Sequence, residues 1–454
     1  MSILSDPQPA RPATLPRRGG FPAPPASPET GLSADLRPDA PTLAEGLKGP
    51  PAERLVSLDA YRGFVMVLMV SAGLYIPRVV KTFEETPELA HLKTPLWEWL
   101  AFHTDHVPWV GCSLWDLIQP SFMFMVGAAL PFSIAARRAK GHSFRRMLLH
   151  AVIRSVALVL LGIFLISNSA RLTRTDWTFT NVLSQIGLGY TFLFLVAWLR
   201  PRWQLAAALG ILLAYWAFFA LAPAPAPDAD ISRAVGSTNW QRLEGFAAHW
   251  EKNTNPAARF DQWFLNQFPR TDGKPFDYNG GGYTTLNFIP SLATMIFGLI
   301  AGELVRSGRL TPSRKIWAMF AVGVAGLVIG SALGWLGICP VVKRIWTPSW
   351  AIYSTGWAFL LLALFYAVID VARWRAWAMP LVVVGMNSIA VYCLSMTMKP
   401  WVSGTVRRHA GQGYGDPYGA LGPAFVPMLE ATAFLLFCWA VAWWMYRRKI
   451  YLRI

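Results

Sequence analysis

The residues best equipped for chemistry sit together in His103-Thr-Asp105-His106. An imidazole titrates near neutral pH and serves as general base or as nucleophile, and Asp105 is placed to orient either ring. His106 is the leading candidate, with His103 within reach of the same site. The plainer reading of His106 is an interfacial imidazole bonded to a backbone carbonyl, because histidine is intermediate in burial. Trp109 and Asp116 follow in the same segment. Asp116 suits a helix N-terminus, where negative charge matches the macrodipole, or equally an anchor for the histidine loop.

Other polar residues lie in apolar surroundings. Asp59 and Arg62 share a helix face and read either as a local ion pair or as an intramembrane carboxylate kept for function. Gln185, Asn287, Ser291 and Asn387 interrupt apolar runs, and interhelical hydrogen bonding accounts for each taken alone. Lys343 and Arg344 are two cations able to meet an anionic or polar ligand, with Trp346 beside them as a simple interfacial anchor.

These residues need elements to hold them, and composition says which. The chain has 454 residues, of which 54% are hydrophobic and only 15% charged. Soluble domains carry nearer a quarter charged residues. The histidine segment is caught between the apolar runs Leu58 to Ile76 and Leu114 to Ile134, each long enough to cross a bilayer. The expected fold class is all-α, a polytopic membrane bundle of about ten transmembrane helices. The spans are read at about 57–77, 114–136, 146–167, 179–199, 203–222, 284–306, 315–338, 348–371, 379–399 and 423–446, the fourth and ninth being interrupted by Asn181, Gln185 and Asn387. Residues 1 to 52 hold twelve prolines and no long apolar stretch, which predicts a disordered tail. Residues 53–454 form the membrane domain.

A formal charge of +16 raises the question of nucleic acid. The cations sit in alternate short loops instead: Arg137, Arg138, Lys140, Arg145 and Arg146; then Arg200 and Arg202; then Arg306, Arg309, Arg314 and Lys315; then Arg373 and Arg375. The positive-inside rule explains that pattern, excludes a nucleic-acid partner, and places both termini in the cytoplasm. It leaves the histidine segment and the long stretch 223–283 outside the cytoplasm. A loop of that length is too long for a bare connector and reads as a cap over the histidines. Cys112, Cys339, Cys393 and Cys438 show no metal-ligand spacing. Cys112 and Cys339 fall on the same outer face, but spacing alone does not pair them.

Several motifs taken in order resemble one family. They are Arg54-Leu-Val-Ser-Leu-Asp59-Ala-Tyr-Arg62-Gly63, His106-Val-Pro-Trp109-Val-Gly111 followed by Asp116-Leu-Ile-Gln-Pro120, Ile289-Pro-Ser-Leu-Ala-Thr-Met-Ile-Phe-Gly298, Lys343-Arg344-Ile-Trp346-Thr-Pro-Ser349, and Val384-Gly385-Met-Asn387-Ser-Ile-Ala-Val-Tyr392. From about 54 to 446 the chain is similar to the heparan-α-glucosaminide N-acetyltransferase family and its bacterial relatives. The resemblance implies a transmembrane N- or O-acetyltransferase in the inner membrane of a bacterium. Its co-substrate would be cytoplasmic acetyl-CoA, with no metal, and its acceptor an amino sugar or other glycan on the far side. His106 matches the family's histidine, and Arg137, Arg138, Arg145 and Arg146 become candidates for the CoA phosphates. Asp59, Arg62, Trp109, Asp116, Gln185, Asn287, Ser291, Lys343, Arg344, Trp346 and Asn387 become candidates for substrate contact. Some relatives carry an asparagine late in the first span, where this chain has Gly73, and many have Asp-Pro-Glu-Gly before the sixth, where it has Asn279-Gly-Gly-Gly-Tyr283. The expected partners are membrane lipid and a carbohydrate, with a homodimer left open. The alternative is a sugar transporter without chemistry, with Asp59, Asn287 and Asn387 as its polar path. No internal repeat of the transporter kind supports it.

Overall fold

A computed structural model describes residues 55–452 apart from 169–171, 173, 272 and 411–421. The proline-rich segment 1–52 lies outside the described residues. Helices occupy all ten apolar runs, with differences that matter for function. The chain runs α1 (Val56–Ser71), α2 (Ile76–Glu85), α3 (Pro95–His103), α4 (Ile118–Ala139), α5 (Phe144–Ser167), α6 (Val182–Val196), α7 (Pro201–Ala220), α8 (Pro256–Phe264), α9 (Phe288–Arg306), α10 (Pro312–Trp335), α11 (Pro348–Phe365), α12 (Met379–Met386), α13 (Ser388–Thr397), α14 (Lys399–Ala410) and α15 (Val426–Arg447). Ser143, Asn181, Thr311 and Thr347 start α5, α6, α10 and α11, each side chain accepting an otherwise orphaned backbone N–H of the first turn.

Among the described residues eight helical segments are long and apolar enough to cross a membrane. The chain is an all-α integral membrane protein. The two interrupted runs are the ones that fall short. The fourth folds as α6, only 15 residues long. The ninth breaks at Asn387, with its two halves bent by 68°.

The first run also departs from the expected single span. It stops at Ser71, and Ala72, Gly73, Leu74 and Tyr75 follow with φ of 49°, 60°, 51° and 52°. Four successive left-handed residues, three of them not glycine, cost roughly 1–2 kcal/mol each for the non-glycine positions, so packing must hold them.

Close backbone contacts fix the bundle. α4 lies against α9 so tightly that a Cβ on Gly298 would stand 1.9 Å from the Phe124 carbonyl oxygen. α1 meets α12 in the same way: a Cβ on Gly385 would stand 1.8 Å from the carbonyl oxygen of Asp59. Such small-residue contacts drive helix association where lipid removes the hydrophobic gain. α5, α7 and α10 turn Ile153, Leu160, Phe164, Leu213, Trp317 and Val328 outward as an exposed apolar surface suited to lipid.

The segment 223–283 is ordered around buried Glu251, whose carboxylate accepts from Trp240 Nε1 (2.9 Å), the Leu243 N–H (2.7 Å) and the Lys252 N–H (2.7 Å). It packs on the bundle through Trp250, whose carbonyl accepts from Trp109 Nε1 (3.2 Å), and through Asp261 of α8, whose Oδ2 accepts from the Thr285 N–H (2.8 Å).

Candidate active site

The loop after α3 carries His106, and its shape is set from below. Thr104 Oγ1 donates to the Leu100 carbonyl (2.7 Å), closing α3. Gly73 lies directly beneath, where a Cβ would come within 2.7 Å of both Thr104 Cβ and its carbonyl oxygen. A side chain at position 73 would therefore require Thr104 to move, and φ there is left-handed at 60°, which favours glycine. Asp105 Oδ1 then accepts the His106 N–H (2.7 Å), so its carboxylate shapes the loop. His103 Nδ1 faces the Leu114 N–H (3.3 Å), and its ring lies between Trp99 and Phe102.

Asp116 is the centre of the site. Its Oδ2 accepts from the backbone N–H groups of Val107 (3.3 Å) and Ser113 (3.1 Å). Its Oδ1 stands 2.7 Å from His106 Nδ1 and 3.1 Å from Lys343 Nζ, which is itself 3.1 Å from His106 Nδ1. A carboxylate facing Nδ1 fixes the tautomer and leaves Nε2 for chemistry. Side-chain exposure divides the roles: His106 is 36% exposed, Asp116 1% and Lys343 5%. Burial pulls the Lys343 ammonium below its ordinary value, and the adjacent Asp116 pulls it back. The Cys112 thiol nearby is pushed up to about 12 by burial and by Asp116.

Lys343 reaches this site because the connection between α10 and α11 folds onto the histidine loop. Val110 and Val342 form an antiparallel bridge, and the Gly111 N–H donates to the Val341 carbonyl (2.9 Å). Arg344 ties the layers together, donating to the carbonyls of Gly281 (2.8 Å) and Val107 (3.3 Å), while its own carbonyl accepts from Asn287 Nδ2 (2.7 Å). Trp346 is fully buried, with Nε1 donating to Thr294 Oγ1 (3.3 Å), so it is a core residue and not the interfacial anchor expected of it. Trp109 is likewise buried under the segment 223–283. Gln185 donates to the carbonyls of Phe179 (2.7 Å) and Thr285 (3.1 Å), and Ser291 to that of Phe288 (3.1 Å).

Two cavities flank this arrangement. The first, about 630 Å³, is lined by His106, Lys343, Asp105, Tyr75, Arg78, Asn181, Tyr283 and Tyr392 among others. The second, about 530 Å³, lies toward the opposite ends of α1 and α4 and is lined by Asp59, Arg62, Arg137, Lys140, His142, Arg154, Tyr190, Tyr451 and others. The same helices wall both. Val182 faces the first and Leu183 the second; on α13 the pair is Tyr392 and Ile389.

Asp59 and Arg62, paired at 3.2 Å, therefore belong with the second cavity and not with His106. Of the four arginines proposed for phosphates, Arg137 lines that cavity. Arg138 instead stacks on Trp198, with Arg145 and Arg146 exposed outside the lining. Lys140, His142 and Arg154 line the same cavity. Arg154 is absent from the sequence-based candidates, although a cation inside the apolar run 146–167 is the signal that could have found it. Asn387 is fully buried at the break between α12 and α13, away from His106.

No protein-family model matches the chain. The heparan-alpha-glucosaminide N-acetyltransferase of Mus musculus is 22% identical over 408 residues, covering 80% of this chain and 55% of that protein. The human protein of the same name is 23% identical over 389 residues, covering 76% of this chain and 52% of it. The chain is a distant relative of the heparan-alpha-glucosaminide N-acetyltransferases. It spans about half the length of these curated relatives.

Proposed function

We propose that the protein is a membrane acetyltransferase that takes the acetyl group of acetyl-CoA from the cytoplasmic side and delivers it to an amino sugar or other glycan on the opposite side. The observation that carries this reading is the Asp116–His106–Lys343 cluster on the wall of one cavity, with a cationic cavity at the other end of the same helices. The positive-inside rule supports the sidedness, because the basic loop 137–146 belongs to the cationic end. Cavities of this size suit small molecules.

In this mechanism Arg62, Arg137, Lys140 and Arg154 hold the CoA phosphates by charge-assisted hydrogen bonds. The acyl-bearing arm passes between α4, α6 and α13 to the first cavity, where adjacent residues on α6 already face the two spaces. Asp116 keeps the proton of His106 on Nδ1. Nε2 then either attacks the thioester carbonyl, forming acetyl-histidine as the CoA thiolate leaves, or accepts the proton of the acceptor amine or hydroxyl as that group attacks. Buried Lys343 balances Asp116 and presents positive charge beside the reacting centre.

Purified protein should gain thermal stability with saturating CoA, because a ligand that binds only the folded state raises its apparent stability. It should also convert acetyl-CoA in the presence of an amino sugar. Absence of both would refute the assignment, as would sugar uptake into proteoliposomes independent of acetyl-CoA. Acetyl label retained on the protein without acceptor, and absent in His106→Ala, would mark the acetyl-histidine route.

A further inference from the structure

Asn387 has contacts that the transfer chemistry does not require. Its Nδ2 donates to the Ile450 carbonyl (3.0 Å) and its Oδ1 accepts from the Leu452 N–H (3.1 Å). A primary amide has a donor side and an acceptor side, and both are spent on one short piece of backbone. The chain must turn back to reach them: α15 ends at Arg447, and Lys449 takes a left-handed φ of 56°. The amide is also held on a fixed mount. Two residues before it, Gly385 lies in backbone contact with α1 at Asp59, so α12 has no room to shift.

The segment pinned in this way borders the second cavity. Tyr451 and Leu452 line it together with Arg62, Arg137, Lys140, His142 and Arg154. Cations suit phosphates, and an aromatic ring beside them suits a nucleobase, which stacks without regard to sequence.

We propose that residues 449–452 form a strap that completes the donor cavity, with Tyr451 as the surface for the nucleotide end of CoA and Asn387 as the residue that positions it. This rests on the assignment of CoA to the second cavity. Donor binding and order of the strap are then coupled, so the break in the ninth apolar run serves donor recognition. The bend exists to present a side-chain amide to the returning chain.

The test uses the purified full chain with two probes, CoA and pantetheine, which lacks the nucleotide. Tyr451→Ala is expected to weaken CoA binding about tenfold, the scale of one lost stacking contact, while pantetheine binds as before. Asn387→Ala should do the same. In the unaltered protein CoA, but not pantetheine, should slow tryptic cleavage after Lys449. CoA affinity of Tyr451→Ala equal to that of the unaltered chain overturns the strap while leaving the donor assignment intact, and so does cleavage indifferent to CoA. Failure of the unaltered chain to bind CoA overturns the donor assignment and the strap with it.

Discussion

His106 presents one nitrogen to a cavity while Asp116 and Lys343 stay buried behind it, and this division of labour sets the expected effects of substitution. His106→Ala should lower transfer by roughly 10²–10⁴-fold, the usual contribution of general acid–base catalysis, without loss of CoA binding. Lys343→Met leaves Asp116 as a buried charge short of its cation, and should cost roughly 3–5 kcal/mol of stability in chemical unfolding. Combining it with Asp116→Asn should recover much of that loss, because the uncompensated charge is gone. Single and double variants with additive losses would argue against a coupled pair. At this scale the sequence reveals the members of the site and not their meeting. His106 and Lys343 lie 237 positions apart, and no local pattern announces that two loops will bridge at Val110 and Val342. Arg138, Arg145 and Arg146 illustrate the converse. Their place in a basic loop is legible, but which of them faces a cavity depends on side-chain direction, and Arg138 is taken up by Trp198.

Hydrophobic runs of bilayer length made the helices legible, since apolar length is itself the physical requirement for spanning. Polar interruptions marked where a helix would be short, as α6 is, or broken, as at Asn387. The left-handed turn Ala72–Tyr75 gave no such sign, because alanine, leucine and tyrosine do not favour that backbone and only tertiary packing selects it. Gly73→Ala tests this: strain at φ 60° costs about 1–2 kcal/mol, and the clash with Thr104 adds to it. Thermal unfolding should register the loss, and transfer should fall as the histidine loop shifts. The contact of α8 with the bundle carries its own pH dependence. Burial raises the Asp261 carboxyl from 3.8 to about 6. The folded state therefore binds a proton more tightly than the unfolded chain, so this contribution is complete below the unfolded value and is lost as pH rises through about 6. The loss amounts to roughly 3 kcal/mol by linkage. Asp261→Asn keeps an oxygen for the Thr285 N–H and cannot ionise. Limited proteolysis of 223–283 should be pH-dependent in the unaltered chain and flat in this variant; parallel profiles would exclude Asp261 as the cause.

The molecule as a whole places a cationic cavity and a histidine cavity along the same helices, with adjacent residues of α6 facing one each. That arrangement gives the apolar bundle a reason to carry Arg154 and Tyr190 inside it, and gives the charge alternation of the loops a functional counterpart. A transporter would need a polar path through Asp59, Asn287 and Asn387, yet these three side chains are engaged with Arg62, with Thr284 and the Arg344 carbonyl, and with residues 450–452. Acetyl transfer through the bundle at His106 can be followed in proteoliposomes loaded with an amino sugar and given labelled acetyl-CoA outside. Acetylated sugar should accumulate in the lumen with the unaltered protein and form at least about a hundredfold more slowly with His106→Ala, with CoA binding retained in both. Lumenal product formed by His106→Ala at the rate of the unaltered protein would contradict transfer at His106.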